Sequence, residues 1–127
     1  MIANIGGIFL YSECPKELAE WYKKFLGIKY KYTKEYDAYY ASFPYKDPHH
    51  KKETYSIFSI MPLKNKTAPK ERAFTINLRV YDIEKVVDHL IKHDAIVKGI
   101  EIYDEGKFAW TEDLDGNHIE LWEDTNL

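Results

Sequence analysis

The stretch that decides the fold runs from Ile5 to Gly27, IGGIFLYSECPKELAEWYKKFLG. In its first part, Ile5 to Tyr11, Ile8 and Leu10 alternate with Gly7, Phe9 and Tyr11. A period of two is that of a strand, and both faces of this one are apolar or aromatic. Beyond Cys14-Pro15 the period changes. Leu18, Trp21, Tyr22, Phe25 and Leu26 fall at helical spacing, with Pro15 opening the helix and Gly27 stopping it. The same pair of elements returns later. Arg72 to Val80 alternates Phe74, Ile76, Leu78 and Val80 with Thr75, Asn77 and Arg79, and Ile83, Val86, Val87, Leu90 and Ile91 repeat the helical spacing behind Asp82, an expected N-cap. Ile8 and Ile76, Leu10 and Leu78, Leu18 and Val86, and Tyr22 and Leu90 each stand 68 positions apart. The offset holds in a strand and in a helix, so the chain reads as an internal duplication.

The rest of each half fills in around these pairs. Ile28 to Lys34 and Ala38 to Tyr45 read as a tyrosine-rich hairpin, Thr54 to Met61 as a fourth strand, and Lys46 to Glu53 as a charged loop containing His49 and His50. Lys64 to Lys70 is a polar linker. In the second half, Lys98 to Tyr103, Lys107 to Thr111 and Asn117 to Glu123 are expected strands, the last two joined by a turn at Asp113-Leu114-Asp115-Gly116-Asn117. The expected class is α+β: one domain over residues 1–127, built of two βαβββ modules, about 1–66 and about 67–127. One short helix cannot cover a sheet's apolar face, so each module needs its twin. A plain α+β sandwich with coincidental spacing is the alternative.

Composition narrows the function classes. The chain has 127 residues, 45% of them hydrophobic, and its mean hydropathy is -0.52, as for a soluble globular domain. A net charge of -3, from 18 basic and 21 acidic residues mixed along the chain, offers nucleic acid no basic footprint. No apolar run approaches the roughly 20 residues that cross a bilayer. The first ten residues lack the pattern of a signal peptide and Cys14 has no second cysteine to pair with, so a cytoplasmic location is expected. Aromatic residues make up 16%, among them 11 Tyr and 3 Trp, which makes an aromatic-lined site worth seeking.

Ile5 to Gly27, and KFAWTEDLDGNHIELWE from Lys107 to Glu123, resemble the opening module and the closing hairpin of the glyoxalase, bleomycin-resistance and dioxygenase superfamily, the vicinal oxygen chelate fold. The likeness spans nearly the whole chain, with Leu114 where Pro is common and Cys14 where Asp is usual. It implies eight strands curled into an open cup-shaped mixed sheet with helices outside, and it makes a homodimer the expected assembly. Members include metal-dependent lyases, isomerases and dioxygenases and also metal-free proteins that bind drugs, so the fold leaves the chemistry open.

In metal-dependent members, four ligands stand in the cup, one each on the first and fourth strands of both modules. The resemblance puts the first-strand positions at Gly7, which has no side chain, and at Thr75, a poor neutral donor. No residue from Thr54 to Pro62 is His, Asp, Glu, Gln or Cys, and Glu120 alone matches a ligand position. One carboxylate does not make a metal site, so no cofactor is expected. His118 lies two residues before Glu120 on the same strand face and adds a second donor, still short of the three protein ligands of catalytic zinc. A Zn, Ni, Mn or Fe enzyme using Glu120, His118 and water is therefore the alternative. His89 and His93 have i, i+4 spacing but lie off the apolar stripe and lack the Glu of a metalloprotease motif; they read as surface residues.

Strand parity directs Phe9, Tyr11, Thr75, Asn77, Arg79, His118, Glu120 and Trp122 to the hollow, and Ile8, Leu10, Ile76, Leu78, Ile119 and Leu121 to the helices. Aromatic walls with a few polar groups suit a small aromatic or amphipathic ligand. The expected ligand-binding set is Phe9, Tyr11, Thr75, Asn77, Arg79, Glu120 and Trp122. Gly7 is expected to leave room, and Glu120, partnered by His118 or Arg79, to be the polar anchor and the candidate metal-free acid or base. Two other outcomes stay open: a hollow filled by its own aromatic side chains, and a partner-binding domain using the tyrosines between Tyr30 and Tyr45.

Overall fold

A computed structural model describes Ile5, residues 7–48, Lys51, residues 53–63 and residues 74–125. The elements run β1 (Gly7–Ser12), α1 (Pro15–Leu26), β2 (Lys31–Thr33), β3 (Ala38–Lys46), β4 (Glu53–Pro62), β5 (Thr75–Arg79), α2 (Ile83–Lys92), β6 (Val97–Tyr103), β7 (Gly106–Glu112) and β8 (His118–Glu123). Each half thus has the expected order of strand, helix and three strands. The strands form two four-stranded sheets of like topology, β1-β4-β3-β2 and β5-β8-β7-β6, with a parallel first pair and antiparallel pairs after it. The duplication read from the 68-residue offset is a duplication of structure.

Chain contacts divide the molecule into two compact units, Met1–Glu20 with Ile28–Ala68, and Trp21–Gly27 with Pro69–Leu127. The last turns of α1 go with the second unit. In the first unit, Leu10, Leu18, Phe58 and Ile60 are each at most 3% exposed. Leu10 pairs with Ile60 and Ile8 with Phe58 across the parallel ladder, which puts the apolar parity of both strands on one face. Tyr30 meets the Phe58 ring edge-on. In the second unit, Tyr22, Ile76, Ile83, Leu90, Ile119 and Leu121 are at most 2% exposed.

Local chemistry sets the element ends. Asp82 caps α2, its Oδ1 accepting from the Lys85 amide at 3.3 Å, and Glu123 Oε1 accepts from the Ile83 amide at 3.0 Å. Gly27 ends α1 with φ +70, a left-handed conformation that only glycine adopts freely. The expected strand at Ile28 to Lys34 is shorter than its pattern, because only Lys31–Thr33 finds partners on β3 at the sheet edge.

The β7–β8 turn is built on Asp113, which is 6% exposed. Its Oδ1 accepts from the amides of Asp115 and Asn117 at 2.9 and 2.8 Å. Its Oδ2 accepts from Asn117 Nδ2 and from the Tyr22 hydroxyl, both at 2.7 Å. One carboxylate closes the turn and ties it to α1, so Leu114 in place of a turn-setting proline leaves the turn intact.

Candidate functional site

In the first unit, the face of the sheet opposite the core carries Phe9 on β1, Ile57, Ser59 and Met61 on β4, and Tyr40 on β3; Phe9 pairs with Ser59 and Ser59 with Tyr40 across the ladder. The β2–β3 turn, with Asp37 at φ 49 and the Tyr32 hydroxyl donating to Asp37 Oδ1 at 2.7 Å, brings Tyr36 over the same face. Together they enclose a concavity of about 460 Å³, completed by Thr33 and Ala38. None of these lining side chains is charged. Phe9 is 56% exposed, and Tyr11, on the same face, lies outside the concavity.

Gly7 does not leave the room expected of it. A Cβ built there lies 2.5 Å from the Ile57 carbonyl oxygen and 3.3 Å from the Phe9 ring. β4 runs so close that a side chain on this position meets backbone, so Gly7 serves strand approach and not ligand access.

In the second unit the corresponding face shows three cross-strand rows: Thr75, His118 and Glu112; then Asn77, Glu120, Trp110 and Lys98; then Arg79, Trp122, Phe108 and Glu101. In the middle row Glu120 is half-buried. Its Oε1 accepts from Asn77 Nδ2 at 2.8 Å and its Oε2 from Trp110 Nε1 at 2.9 Å, so both oxygens are fixed by neutral donors. The expected partners go elsewhere: Arg79 lies over Trp122 at 4.6 Å and reaches Asp124 at 3.8 Å, while His118 Nε2 lies 3.7 Å from Glu112. The rings of Phe108 and Trp122 are parallel within 3° at 6.1 Å, and the Trp122 indole donates to the Glu105 carbonyl at 2.9 Å. Asn77, Glu120, Arg79 and Trp122 therefore share one face with Thr75 and His118, but Glu120 is bound to Asn77 and Trp110.

Two parts of this geometry escape sequence reading. Trp110, Phe108 and Lys98 lie on the polar face because β7 and β6 extend the β8 ladder; the alternation in KFAWTE carries that signal once the pairing is known. Ser59 and Tyr40 lie in strands whose pattern shows two apolar-leaning faces, and only the register decides which residue sits opposite Phe9; Tyr36 lies in the turn between β2 and β3.

The register also tests the metal that the fold implies. Glu120 stands two residues after the partner of Thr75, and the residue two after the partner of Gly7 is Ser59. The four positions are thus Gly7, Ser59, Thr75 and Glu120: a glycine, two neutral hydroxyls and one carboxylate already engaged by two donors. This donor set does not fit a divalent ion. Among the described residues, the acidic group Asp82, Glu84 and Glu123 is the one cluster of three with converging ligand atoms. Asp82 and Glu123 there hold the amides at the start of α2, and Lys107 Nζ donates to Glu84 at 2.7 Å. His89 Nε2 donates to the Lys24 carbonyl at 2.8 Å and His93 Nδ1 to the His89 carbonyl at 2.9 Å, which gives each ring a structural partner. His49 and His50 lie outside the described residues. No helix among the described residues is long and apolar enough to cross a membrane.

Two sheets with the order first-fourth-third-second, each with a parallel outer pair and a helix, make up the fold that the resemblance to the glyoxalase, bleomycin-resistance and dioxygenase superfamily implies. Solved structures share it along their full length. A Bacillus anthracis protein placed in the glyoxalase family matches with a TM-score of 0.74 and 19% identity over 98% of each chain. TnmS3, an antibiotic-binding protein from Streptomyces sp. CB03234, matches with a TM-score of 0.68 and 17% identity, again over 98% of each chain. An integron cassette protein from the mobile metagenome of V. cholerae gives 0.69 and 16%, over 97% of this chain and 96% of that one. At these identities the likeness establishes fold and not activity. No protein-family model matches the sequence, and neither does any curated protein.

Proposed function

We propose that this protein binds a small aromatic or amphipathic molecule without a metal, and that the concavity walled by Phe9, Tyr36, Tyr40, Ile57 and Met61 receives it. The observation that carries this reading is the concavity itself. Its volume of about 460 Å³ falls in the range of small-molecule sites, and its lining is apolar and aromatic with a few hydroxyls. That TnmS3 is an antibiotic-binding protein with the same fold agrees with a binding role. On the second unit, Thr75, Asn77, Arg79, His118, Glu120 and Trp122 form a polar and aromatic face whose fixed carboxylate suits orientation of a ligand's donor group. Glu120 there is an anchor and not a prepared acid or base, because two neutral donors already hold it.

The test is a thermal-shift screen of uncharged and amphipathic aromatic compounds. A compound at 100 times its Kd adds about 2.7 kcal/mol of stability. Phe9→Ala is expected to abolish the shift while leaving the unliganded protein nearly as stable, since Phe9 is 56% exposed. A screen without hits, or hits indifferent to Phe9→Ala, would reject the proposal.

A further inference from the structure

Taking that concavity as a ligand site, we infer that Ser59 is its hydrogen-bonding determinant and that its ligand is an uncharged ring compound bearing a carbonyl oxygen. Ser59 is 6% exposed, yet it lies on the concave face between Phe9 and Tyr40 and lines the hollow. Its hydroxyl opens to the hollow and is not among the side-chain atoms buried without a partner. A ligand seated there displaces water from this hydroxyl, and covering it without a partner costs free energy that a ligand oxygen offsets.

The charge of the ligand follows from the walls. Among the described residues no cation or carboxylate lines the hollow, so an ionised group placed there has no counter-charge and loses part of its hydration. Four hydroxyl-bearing side chains line the space, those of Thr33, Tyr36, Tyr40 and Ser59, and each has a proton to donate. An acceptor oxygen on a flat apolar body meets both demands. The two units differ here in a telling way: at the register position where the second unit carries Glu120, the first carries Ser59, so the concavity keeps a hydrogen-bonding group and loses the charge.

Three compounds with one skeleton test this: 9-fluorenone, fluorene and fluorene-9-carboxylate, titrated while the backbone amide resonances of Phe9, Ser59 and Met61 are followed. One restored hydrogen bond predicts that the ketone binds about fivefold more tightly than the hydrocarbon. The carboxylate is expected to bind at least about tenfold more weakly than the ketone. Ser59→Ala should remove the preference for the ketone and leave the Kd of fluorene within about twofold. If the ketone preference is absent, or survives Ser59→Ala, or the carboxylate binds as well as the ketone, the assignment of Ser59 is wrong; fluorene still moving Phe9 and Met61 would keep the concavity as a ligand site. If none of the three compounds moves these resonances up to its solubility limit, both the inference and the proposed function fall.

Discussion

Replacing Tyr22 by Phe removes a single oxygen from the interior and tests how the closing turn of the second unit is held. Tyr22 is fully buried and its hydroxyl donates to Asp113 Oδ2 at 2.7 Å, in a carboxylate that also accepts from the amides of Asp115 and Asn117 and from Asn117 Nδ2. The ring fits the same space in Phe, so packing is conserved and the loss is one hydrogen bond to a carboxylate, about 1.5–3 kcal/mol. The entropy of unfolding for a chain of this length is about 0.27 kcal/mol/K, which turns that loss into a fall in Tm of about 6–11 °C. Thermal and urea unfolding followed by circular dichroism measure it, with an unchanged urea m-value showing that the compactness of either state is unaltered. A Tm within about 1 °C of the parent's would mean that the bond adds no net stability, and the account of the turn as anchored to α1 would be wrong.

Two further outcomes follow from the geometry. Gly7→Ala places a methyl 2.5 Å from the Ile57 carbonyl oxygen, so β1 and β4 must part. Overpacking of about 1–3 kcal/mol exceeds the roughly 0.4–1 kcal/mol gained from a stiffer unfolded chain, and urea unfolding should show a net loss; equal or greater stability would mean that the position is open after all. The exposed pair Glu84–Lys107 makes a pH-dependent contribution. The hydrogen bond from Lys107, and then the bond to its own backbone, lower the Glu84 pKa below its ordinary 4.5, and the bond to Glu84 raises that of Lys107 above 10.5. Its stabilisation is therefore present between these limits, fades as the pH falls through the lowered Glu84 value, and fades again as the pH rises through the raised Lys107 value. A double-mutant cycle of Glu84→Gln and Lys107→Met should show coupling at neutral pH that shrinks at pH 3 and in high salt; coupling unchanged at pH 3 would contradict the assignment.

The strand faces of the expected site residues are legible in the sequence to different depths. Parity along β1, β5 and β8 correctly separated Phe9, Asn77, Glu120 and Trp122 from Leu10, Ile76, Ile119 and Leu121, because alternation is a property of a single strand. The partners of Glu120 were not legible: His118 and Arg79 are near it in pattern, but His118 pairs across to Glu112 and Arg79 stacks on Trp122. Trp110, its actual donor, lies ten residues away on a strand whose offset from β8 depends on the Asp113 turn.

Amino-acid order alone established the two modules and the start and stop signals of their helices, since each of these depends on neighbours along the chain. Register is a long-range quantity, chosen by which strands find each other and by how closely their backbones approach. Only the folded chain could therefore put Ser59 opposite Phe9, close the space at Gly7 against β4, and commit both oxygens of Glu120 to Asn77 and Trp110.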